Sequence, residues 1–454
     1  MATRSVVVLG GGVAGLSTAL LLTRDGHRVT LLEQDSLHPG DAQDAPQWER
    51  SGIPHFLQPH AFIPRGRAEL RRHLPDVYDA LLSAGAWDVD LRHKLPGPPE
   101  PDDEALQYLG VRRPVIEWAL RQAVLSEDRV SVRTGVAVQG IVAEHDLVTG
   151  VRVDGALMSA DVVVDALGRR TMTATWEASS DCGVVYYSRY FRVRPGHELP
   201  DGPWLLGPRG DLGYFGFSTF PGDNGTFAAL LAVPPRVPEW RALKDIGPWT
   251  AAVEQIPALR KWVDPDAVEP ITGVLPMAGL RNTLREYQPT APVGLFPVGD
   301  AYCHTDPVLA HGLAFGLVHA AALTAALRTH EDLGDAGDAY AGVTQQELRE
   351  RYALASALDE QRLRLWSGGA VDFAHHDGDY ALFSMVAAGA AAVVDPDVFR
   401  VFVRRIGLLD STEVFDRDVA LQRRVELVFA EMRSAPRPAP GPSREEMVAV
   451  IASA

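Results

Sequence analysis

Gly10, Gly12 and Gly15 stand at the first, third and sixth positions of the run Gly10-Gly11-Gly12-Val13-Ala14-Gly15. A chain needs that spacing when it must turn tightly, approach a phosphate closely and then pack a helix against a strand. Gly10 suits the turn, Gly12 lets the backbone approach a pyrophosphate, and Gly15 allows the helix–strand contact. Val13 and Ala14 open the helix, so their N–H groups face the same anion with the positive end of the helix dipole. Glu33 ends the next apolar run, where a carboxylate can accept hydrogen bonds from ribose hydroxyls. No Ser-His-Asp arrangement or metal-ligand spacing is evident elsewhere. His375-His376-Asp377 is not read as a metal site, because adjacent histidines point in different directions from a helix or strand. Cys182 and Cys303 are the only two cysteines. That excludes a disulfide scaffold and a Cys-rich metal site, and it suits a reducing, cytoplasmic compartment.

The elements that position these residues follow from hydrophobic pattern. Ser5 to Leu9 (SVVVL) is a continuous β-branched run, expected of a strand buried on both faces. Leu16 to Arg24 reads as a helix and His27 to Leu32 as the second strand. An apolar N-terminus could also be a signal peptide, but the glycine run and the acid-ended second strand argue against one. The length of 454 residues allows two to three domains, and 46% hydrophobic with 22% charged residues is ordinary for a globular protein. A net charge of −16 argues against a general binder of nucleic acid or anionic membrane. The longest apolar run, 381–394, is 14 residues, short of the roughly 18 that a membrane helix needs.

Two further segments select the dinucleotide. Asp161 to Ala166 (DVVVDA), running into Leu167-Gly168-Arg169-Arg170, resembles the "ADxVVDATGR" strand of FAD enzymes with a glutathione-reductase-like fold. Gly299-Asp300-Ala301, then Pro307 and Ala310-His311-Gly312-Leu313-Ala314-Phe315-Gly316, resemble the "GDA…P…GxG" segment of flavoprotein hydroxylases. Ala310 replaces the first of those glycines, and His311 stands where many relatives have Gln. The resemblance implies that Asp300 contacts the ribityl chain and that the helix N-terminus faces the flavin pyrimidine edge, which becomes negative on reduction. NAD alone has no use for this third segment, so the reading is FAD. The expected cofactor-binding set is Gly10, Gly12, Val13, Ala14, Gly15, Glu33, Arg50, Arg113, Val138, Gly168, Gly299, Asp300, Pro307, Gly312 and Leu313.

Over 1–330 the chain resembles FAD monooxygenases of the aromatic hydroxylase and polyether epoxidase group. Arg50 to Phe62 with Arg65-Gly66 is similar to their "RxGVPQxxHxHxLxxxG" stretch, with His55 where Gln is common. Arg113-Pro114-Val115-Ile116-Glu117 is similar to "SRPxLE", and Tyr187-Ser188-Arg189-Tyr190-Phe191-Arg192 to "YxTRxFR". The resemblance implies an α/β fold: a glutathione-reductase-type FAD-binding Rossmann domain, an inserted antiparallel β-sheet substrate domain and a helical C-terminal region. The expected domains are 1–75, 105–175 and 280–333 for FAD, 76–104 and 176–279 for substrate, and 334–454 with a Pro-rich linker at 435–443. Val130 to Val138 and Gly140 to Val153 are expected in a β-meander. Tyr186, Tyr187, Tyr190, Phe191, Tyr214, Phe215, Phe217 and Phe220 are candidate pocket aromatics, with core packing explaining more than half of them.

The implied activity is hydroxylation or epoxidation of an apolar or aromatic natural-product-like molecule through O₂ captured as a flavin C4a-hydroperoxide. Arg50 and His60 are the expected catalytic residues, with Arg50 steadying the anionic reduced flavin and His60 at the pocket mouth. His304 and Asp306 flank Pro307 and could approach the ring, and Cys303 is read as a packing residue. No second glycine turn exists, so NAD(P)H binds transiently or a separate reductase supplies electrons. Two other flavin activities compete. A halogenase would need a lysine and a Trp-x-Trp motif, but lysine occurs only at Lys94, Lys244 and Lys261, and no two tryptophans are two apart. An isoprenoid double-bond reductase is faintly suggested by Tyr214 to Pro221.

Overall fold

Consecutive β-branched residues with no polar face must be covered on both sides, and at the N-terminus they form the centre of a parallel sheet. The computed structural model describes residues 3–35, 40–48, 50–171, 173, 176–202, 205–286, 291–369, 380–434 and 440–454. The elements that build the site begin with β1 (Ser5–Leu9), α1 (Val13–Arg24) and β2 (Arg28–Leu32). They continue with α2 (Arg113–Leu125), β3 (Val130–Arg133) and β4 (Val162–Asp165). The inserted strands are β5 (Val185–Val193), β6 (Arg209–Asp211), β7 (Gly216–Pro221), β8 (Thr226–Val233) and β9 (Val268–Pro270). Last come β10 (Leu295–Pro297), α3 (His311–Thr329), α4 (Leu333–Trp366) and α5 (Arg444–Ser453).

The five-stranded parallel sheet has the order β10-β4-β1-β2-β3. Val6, Val7 and Val8 at its centre are at most 1% exposed. α3 lies along α1, and glycines let the two approach. A Cβ on Gly316 would sit 3.2 Å from Ala14 Cα, and one on Gly299 would sit 2.8 Å from Ala14 Cβ. α3 is also long and apolar enough to cross a membrane, yet 67% of its most apolar stretch is buried inside the fold.

One expectation is corrected here. Val130–Arg133 is the edge of the parallel sheet, with Val130 opposite Val29, and the meander is Val138–Glu144, Leu147–Val153 and Ala156–Ser159. An edge strand half-covered on one face alternates like a meander strand, which is why sequence pattern confuses the two. Within 76–104, assigned to the substrate domain, Val77, Tyr78, Leu81, Ala86, Val89 and Leu91 join the same core as β1 and β2.

The inserted sheet runs β6-β7-β8-β5-β9, with Leu275–Met277 also paired to β5. Its period of two sorts the aromatic residues. Tyr187, Phe191, Tyr214, Phe215, Phe217 and Phe227 pack outward against Trp240 and Trp249. Tyr186, Ser188 and Tyr190 alternate with them on β5 and take the face toward the FAD-binding domain. The C-terminal region is helical as expected, but its last helix returns to the inserted sheet. Met447 and Ile451 of α5 complete the outer core, and Tyr214 Oη donates to the Pro442 carbonyl at 2.8 Å. His375-His376-Asp377 and residues 435–439 of the linker lie outside the described residues.

Met447 is fully buried and Ile451 is 3% exposed, so each truncation to Ala should cost about 2–5 kcal/mol. Denaturant unfolding of Met447→Ala should show that loss. A curve matching wild type would mean that α5 does not seal the sheet.

Candidate active site

The three glycines of the first turn answer three different constraints. Gly10 has φ +100°, and a Cβ there would lie 2.6 Å from the Ala166 carbonyl oxygen. A Cβ on Gly15 would lie 1.9 Å from the Gly10 carbonyl oxygen, so the protein's own packing demands both. A Cβ on Gly12 would meet nothing nearer than Arg113 Nη2 at 3.8 Å and Ile53 Cδ1 at 3.9 Å. Gly12 therefore keeps a space open at the N-terminus of α1, where no side chain caps the first-turn N–H groups. A cradle floored by free N–H groups and edged by a guanidinium fits a pyrophosphate. Arg113 is steadied there by Nε donating to Glu117 at 2.8 Å.

Behind the turn lies a buried ion cluster. Glu33 accepts from Gly11 N–H at 2.7 Å, from Asp35 N–H at 3.0 Å and from Arg50. That uses three of about four lone-pair positions and leaves one for a ribose hydroxyl. Arg50 Nε donates to Asp35 at 2.9 Å, and its Nη1 to Glu117 at 2.5 Å and to the Gly11 carbonyl at 2.8 Å. With its side chain 1% exposed, Arg50 does not reach the site as the expected catalytic cation. It clamps the turn from beneath, and Arg113 is the cation at the cradle.

The opposite edge is built by the segment after β10. Gly168 (φ +61°) and Gly299 (φ +58°) hold the backbone back beside Asp300, and a Cβ on Gly312 would lie 3.5 Å from Asp300 Oδ1. Among the described residues no hydrogen bond engages the Asp300 carboxylate, which is half-buried and free to accept from a ribityl chain. Gly299 N–H donates to Nδ1 of His319 at 2.9 Å, and burial holds that imidazole neutral, with its pKa down to about 3. His319, a polar residue within the apolar helix α3, was missed by sequence reasoning. Its one signal is a lone histidine in an alanine-rich stretch. Ala310 has φ 57° and ψ 24°, the left-handed conformation that a glycine takes without strain, so the expected glycine position persists in the backbone. No side chain caps α3, so its N–H groups at Gly312 and Leu313 remain open to a ligand. His311 is 3% exposed against Phe315, and burial keeps it neutral. Val136 N–H donates to the Glu33 carbonyl at 3.0 Å, which brings the segment leading to Val138 beside the end of β2.

His60 is linked through Gln58 to the inserted sheet. Its Nδ1 donates to the Gln58 carbonyl at 2.7 Å, and Gln58 in turn accepts from Ser188 Oγ of β5 at 2.7 Å. Burial, helped by Arg113, lowers His60 to about 3, so it offers a neutral Nε2 acceptor and no acid proton. His55, lowered to about 4 by burial and Arg169, accepts from the Arg169 guanidinium at 2.5 Å. Asp306 does not face open space. It accepts from Tyr186 Oη at 2.5 Å, from Arg362 at 2.8 Å and from Val308 N–H at 3.0 Å, fixing the Pro307 turn. Asn282 accepts from Asp306 N–H and donates to Asp359, both at 2.7 Å. Burial and the adjacent Asp306 carboxylate push Asp359 upward. Cys182, Asp306 and Asp359 lie within 4.8 Å of one another, but Arg362 bridges the two carboxylates and burial raises the thiol. Cys303 is 1% exposed and pushed up to about 12 by burial, consistent with a packing role.

Residues 5–97 match the family model for FAD dependent oxidoreductases. With the parallel sheet, the glycine cradle and the Asp300 edge, the class is defined: an oxidoreductase with a glutathione-reductase-type fold and FAD as cofactor. The chain is 26% identical to Protein Rv3254 of Mycobacterium tuberculosis over 89% of its length and 90% of that protein. Over 36% of its length it is 31% identical to 6-methylpretetramide 4-monooxygenase of Streptomyces rimosus, covering 38% of that enzyme. The structure of the flavin-dependent brominase Bmp2 matches with a TM-score of 0.61 and 17% identity, over 96% of this chain and 100% of that one. PqsL of P. aeruginosa, in complex with 2-aminobenzoylacetate, matches with a TM-score of 0.58 and 16% identity, over 81% of this chain and 99% of that one.

Two substitutions separate ligand space from packing. Gly12→Val should fold but purify without yellow colour, because its side chain fills only the cradle, whereas Gly15→Val should fail to fold. A flavin-replete Gly12→Val would remove the pyrophosphate from this position. Among the described residues Arg50→Ala leaves Arg113 as the one ion-pair partner of this acid cluster, a loss of about 3–5 kcal/mol for a broken buried pair. Its melting temperature and FAD affinity should both fall, and Arg50→Lys should not restore them because an ammonium cannot span four acceptors. Wild-type values for both would refute the clamp.

Proposed function

We propose that this chain is an FAD-dependent monooxygenase, a hydroxylase or epoxidase of an apolar or aromatic natural-product-like small molecule. The observation that carries the reading is the inner face of the substrate sheet. Tyr186 and Tyr190 on β5, Phe220 on β7, and Ala228 and Leu230 on β8 share one face by register, turned toward the FAD edge. Tyr186 is tied to Asp306 at the Pro307 turn and Ser188 to the Gln58 loop, so the wall is fixed to the cofactor side. An apolar, fixed face beside the cofactor edge suits an apolar substrate and keeps water away from it.

When bound, FAD supplies the redox chemistry, accepting electrons from a donor and passing them to O₂. The chain's own residues bind and orient. Gly12, Arg113 and the N-terminus of α1 hold the pyrophosphate, Glu33 the ribose and Asp300 the ribityl chain. The open N-terminus of α3 favours negative charge on the flavin edge it faces. His60, fixed as the Nδ1–H tautomer, accepts a hydrogen bond from a substrate or flavin donor and stays neutral across the physiological range. NAD(P)H or a separate reductase supplies electrons, and the absence of a second glycine turn supports transient docking. The brominase match keeps halogenation as the second reading. Against it, Lys94 is paired with Asp201, and Lys244 and Lys261 are exposed away from the inner face.

Turnover under ¹⁸O₂ tests the assignment. Holoenzyme with NADPH, or with NADH and a flavin reductase, is offered a panel of naphthols and hydroxyanthraquinones. One labelled oxygen atom in a product is expected. Label confined to peroxide or water, with a saturated product, indicates a double-bond reductase, and brominated or chlorinated product with added halide indicates a halogenase.

A further inference from the structure

The turn Gly222-Asp223-Asn224-Gly225 joins β7 to β8 and is fastened on two sides to segments packed around the core of β1 and β2. On one side Asn224 donates from its N–H to the Gly85 carbonyl at 2.9 Å and from Nδ2 to the Ala84 carbonyl at 2.8 Å. Trp87 Nε1 donates to the Gly222 carbonyl at 3.0 Å. On the other side Asp223, fully buried, accepts from Arg112 three times: from its backbone N–H at 2.9 Å, from Nε at 3.0 Å and from Nη2 at 2.6 Å. A two-pronged guanidinium–carboxylate pair is the strong and directional form of a charge-assisted hydrogen bond. Burial favours the neutral acid, yet Arg112 outweighs it and holds the Asp223 carboxyl below the usual range. A Cβ on Gly222 would lie 3.3 Å from Arg112 Cγ, so the glycine lets the arginine stem lie across the turn.

Arg112 is the residue from which α2 starts. Its extended backbone (φ −82°, ψ 145°) precedes the helix, and its carbonyl accepts from Val115 N–H at 3.1 Å and Ile116 N–H at 3.3 Å. The next residue, Arg113, is the cation beside the Gly12 cradle. Asp223 thus grips the peptide unit directly before that cation, by its N–H as well as by the side chain. Arg50 anchors α2 one turn further on, at Glu117. A side chain keeps its aim only when the element that carries it is held, and two anchors a turn apart hold a helix in direction as well as in place.

We propose that Asp223, on the inserted sheet, is a positioning residue for FAD: by fixing Arg112 it sets the origin of α2 and aims Arg113 at the pyrophosphate. FAD occupancy and the order of the 222–225 turn are coupled in both directions, because linkage between two such states is reciprocal. The inference rests on the placement of the pyrophosphate at Gly12 and Arg113, and the reaction performed on substrate does not enter it.

The test is a double-mutant cycle read as the FAD dissociation constant of reconstituted apoprotein, with unfolding followed in parallel. Asp223→Asn keeps the shape, loses the charge pair and should weaken FAD at least about tenfold, as should Arg113→Ala. Placed on Arg113→Ala, Asp223→Asn should add less than about twofold, since the cation it aims is gone. Trp87→Phe cuts the other fastening of the same turn and should leave FAD affinity within about twofold of wild type, whatever it costs in stability. If Asp223→Asn does not fold, hydrogen exchange of the wild type decides. Adding FAD to apoprotein should slow exchange in 221–226 severalfold more than in Ile246–Glu254, a helix on the outer face of the same sheet. The proposal is overturned if Asp223→Asn binds FAD as wild type does, if its effect adds in full to that of Arg113→Ala, or if Trp87→Phe weakens FAD equally. It is also overturned if FAD slows exchange in 221–226 no more than in Ile246–Glu254. Wild-type affinity in Arg113→Ala would overturn it by a separate route, by removing the pyrophosphate from this cation.

Discussion

One guanidinium fixes the geometry on which the cofactor site depends. Arg50 draws together the acids that end β2, the glycine turn before α1 and Glu117 of α2. The three carboxylates would repel one another in a buried setting, and Arg50 with Arg113 turns that repulsion into a lattice. Glu33 is consequently held where it meets both Gly11 N–H and any ribose above the turn. Because the clamp is made of the protein's own groups, the cradle at Gly12 is set before a ligand arrives, and less ordering entropy is lost on binding. The opposite edge follows the same logic with neutral groups: His319 holds Gly299 and Asn282 holds Asp306.

What was legible in the sequence was local. The glycine spacing, the valine-rich strands and the acid at Glu33 are constraints within a few dozen residues, and each element they imply is present. The substrate strands were also recognisable, since Val185–Val193, Gly216–Pro221 and Thr226–Val233 alternate between turns. The partner of a charge was not legible. Arg50 meets Glu117, 67 residues away, and Asp306 meets Arg362, 56 residues away. Pattern within a window carries no information about such pairings, so an arginine in a cofactor loop reads the same whether it faces ligand or core. Edge strands mislead for a related reason. Val130–Arg133 is half-covered because it is outermost, and alternation alone does not say whether its neighbour is parallel.

The inserted sheet divides two demands by parity. One face is a packed aromatic core whose tryptophans and phenylalanines stack on one another, as Phe191 does on Phe227 at 5.5 Å. The other carries Tyr186, Ser188 and Tyr190 of β5 with the small Ala228 and Ala232 of β8. A substitution that shifted the register by one residue would exchange these faces, putting Tyr187 and Phe217 toward the flavin and Tyr186 toward the outer helices. The tie from Tyr186 to Asp306 and the tie from Ser188 to Gln58 each oppose that slip. α4 supplies Arg362, Asp359 and Trp366, so this face is braced from a region that lies outside both expected domains.

The return of α5 to the sheet has a consequence for the order of synthesis. On the ribosome, β8 emerges about two hundred residues before the helix that covers its outer face. Throughout that interval Phe227 and Leu231 belong to a sheet whose outer side is only partly covered, by Trp240 and Trp249 among others. Nascent chains in that state present an adhesive apolar surface, a natural target for holdase chaperones and the point at which premature termination would favour aggregation. Closure by Met447 and Ile451 is thus a late event in the maturation of the chain, and it couples the integrity of the inserted sheet to completion of translation.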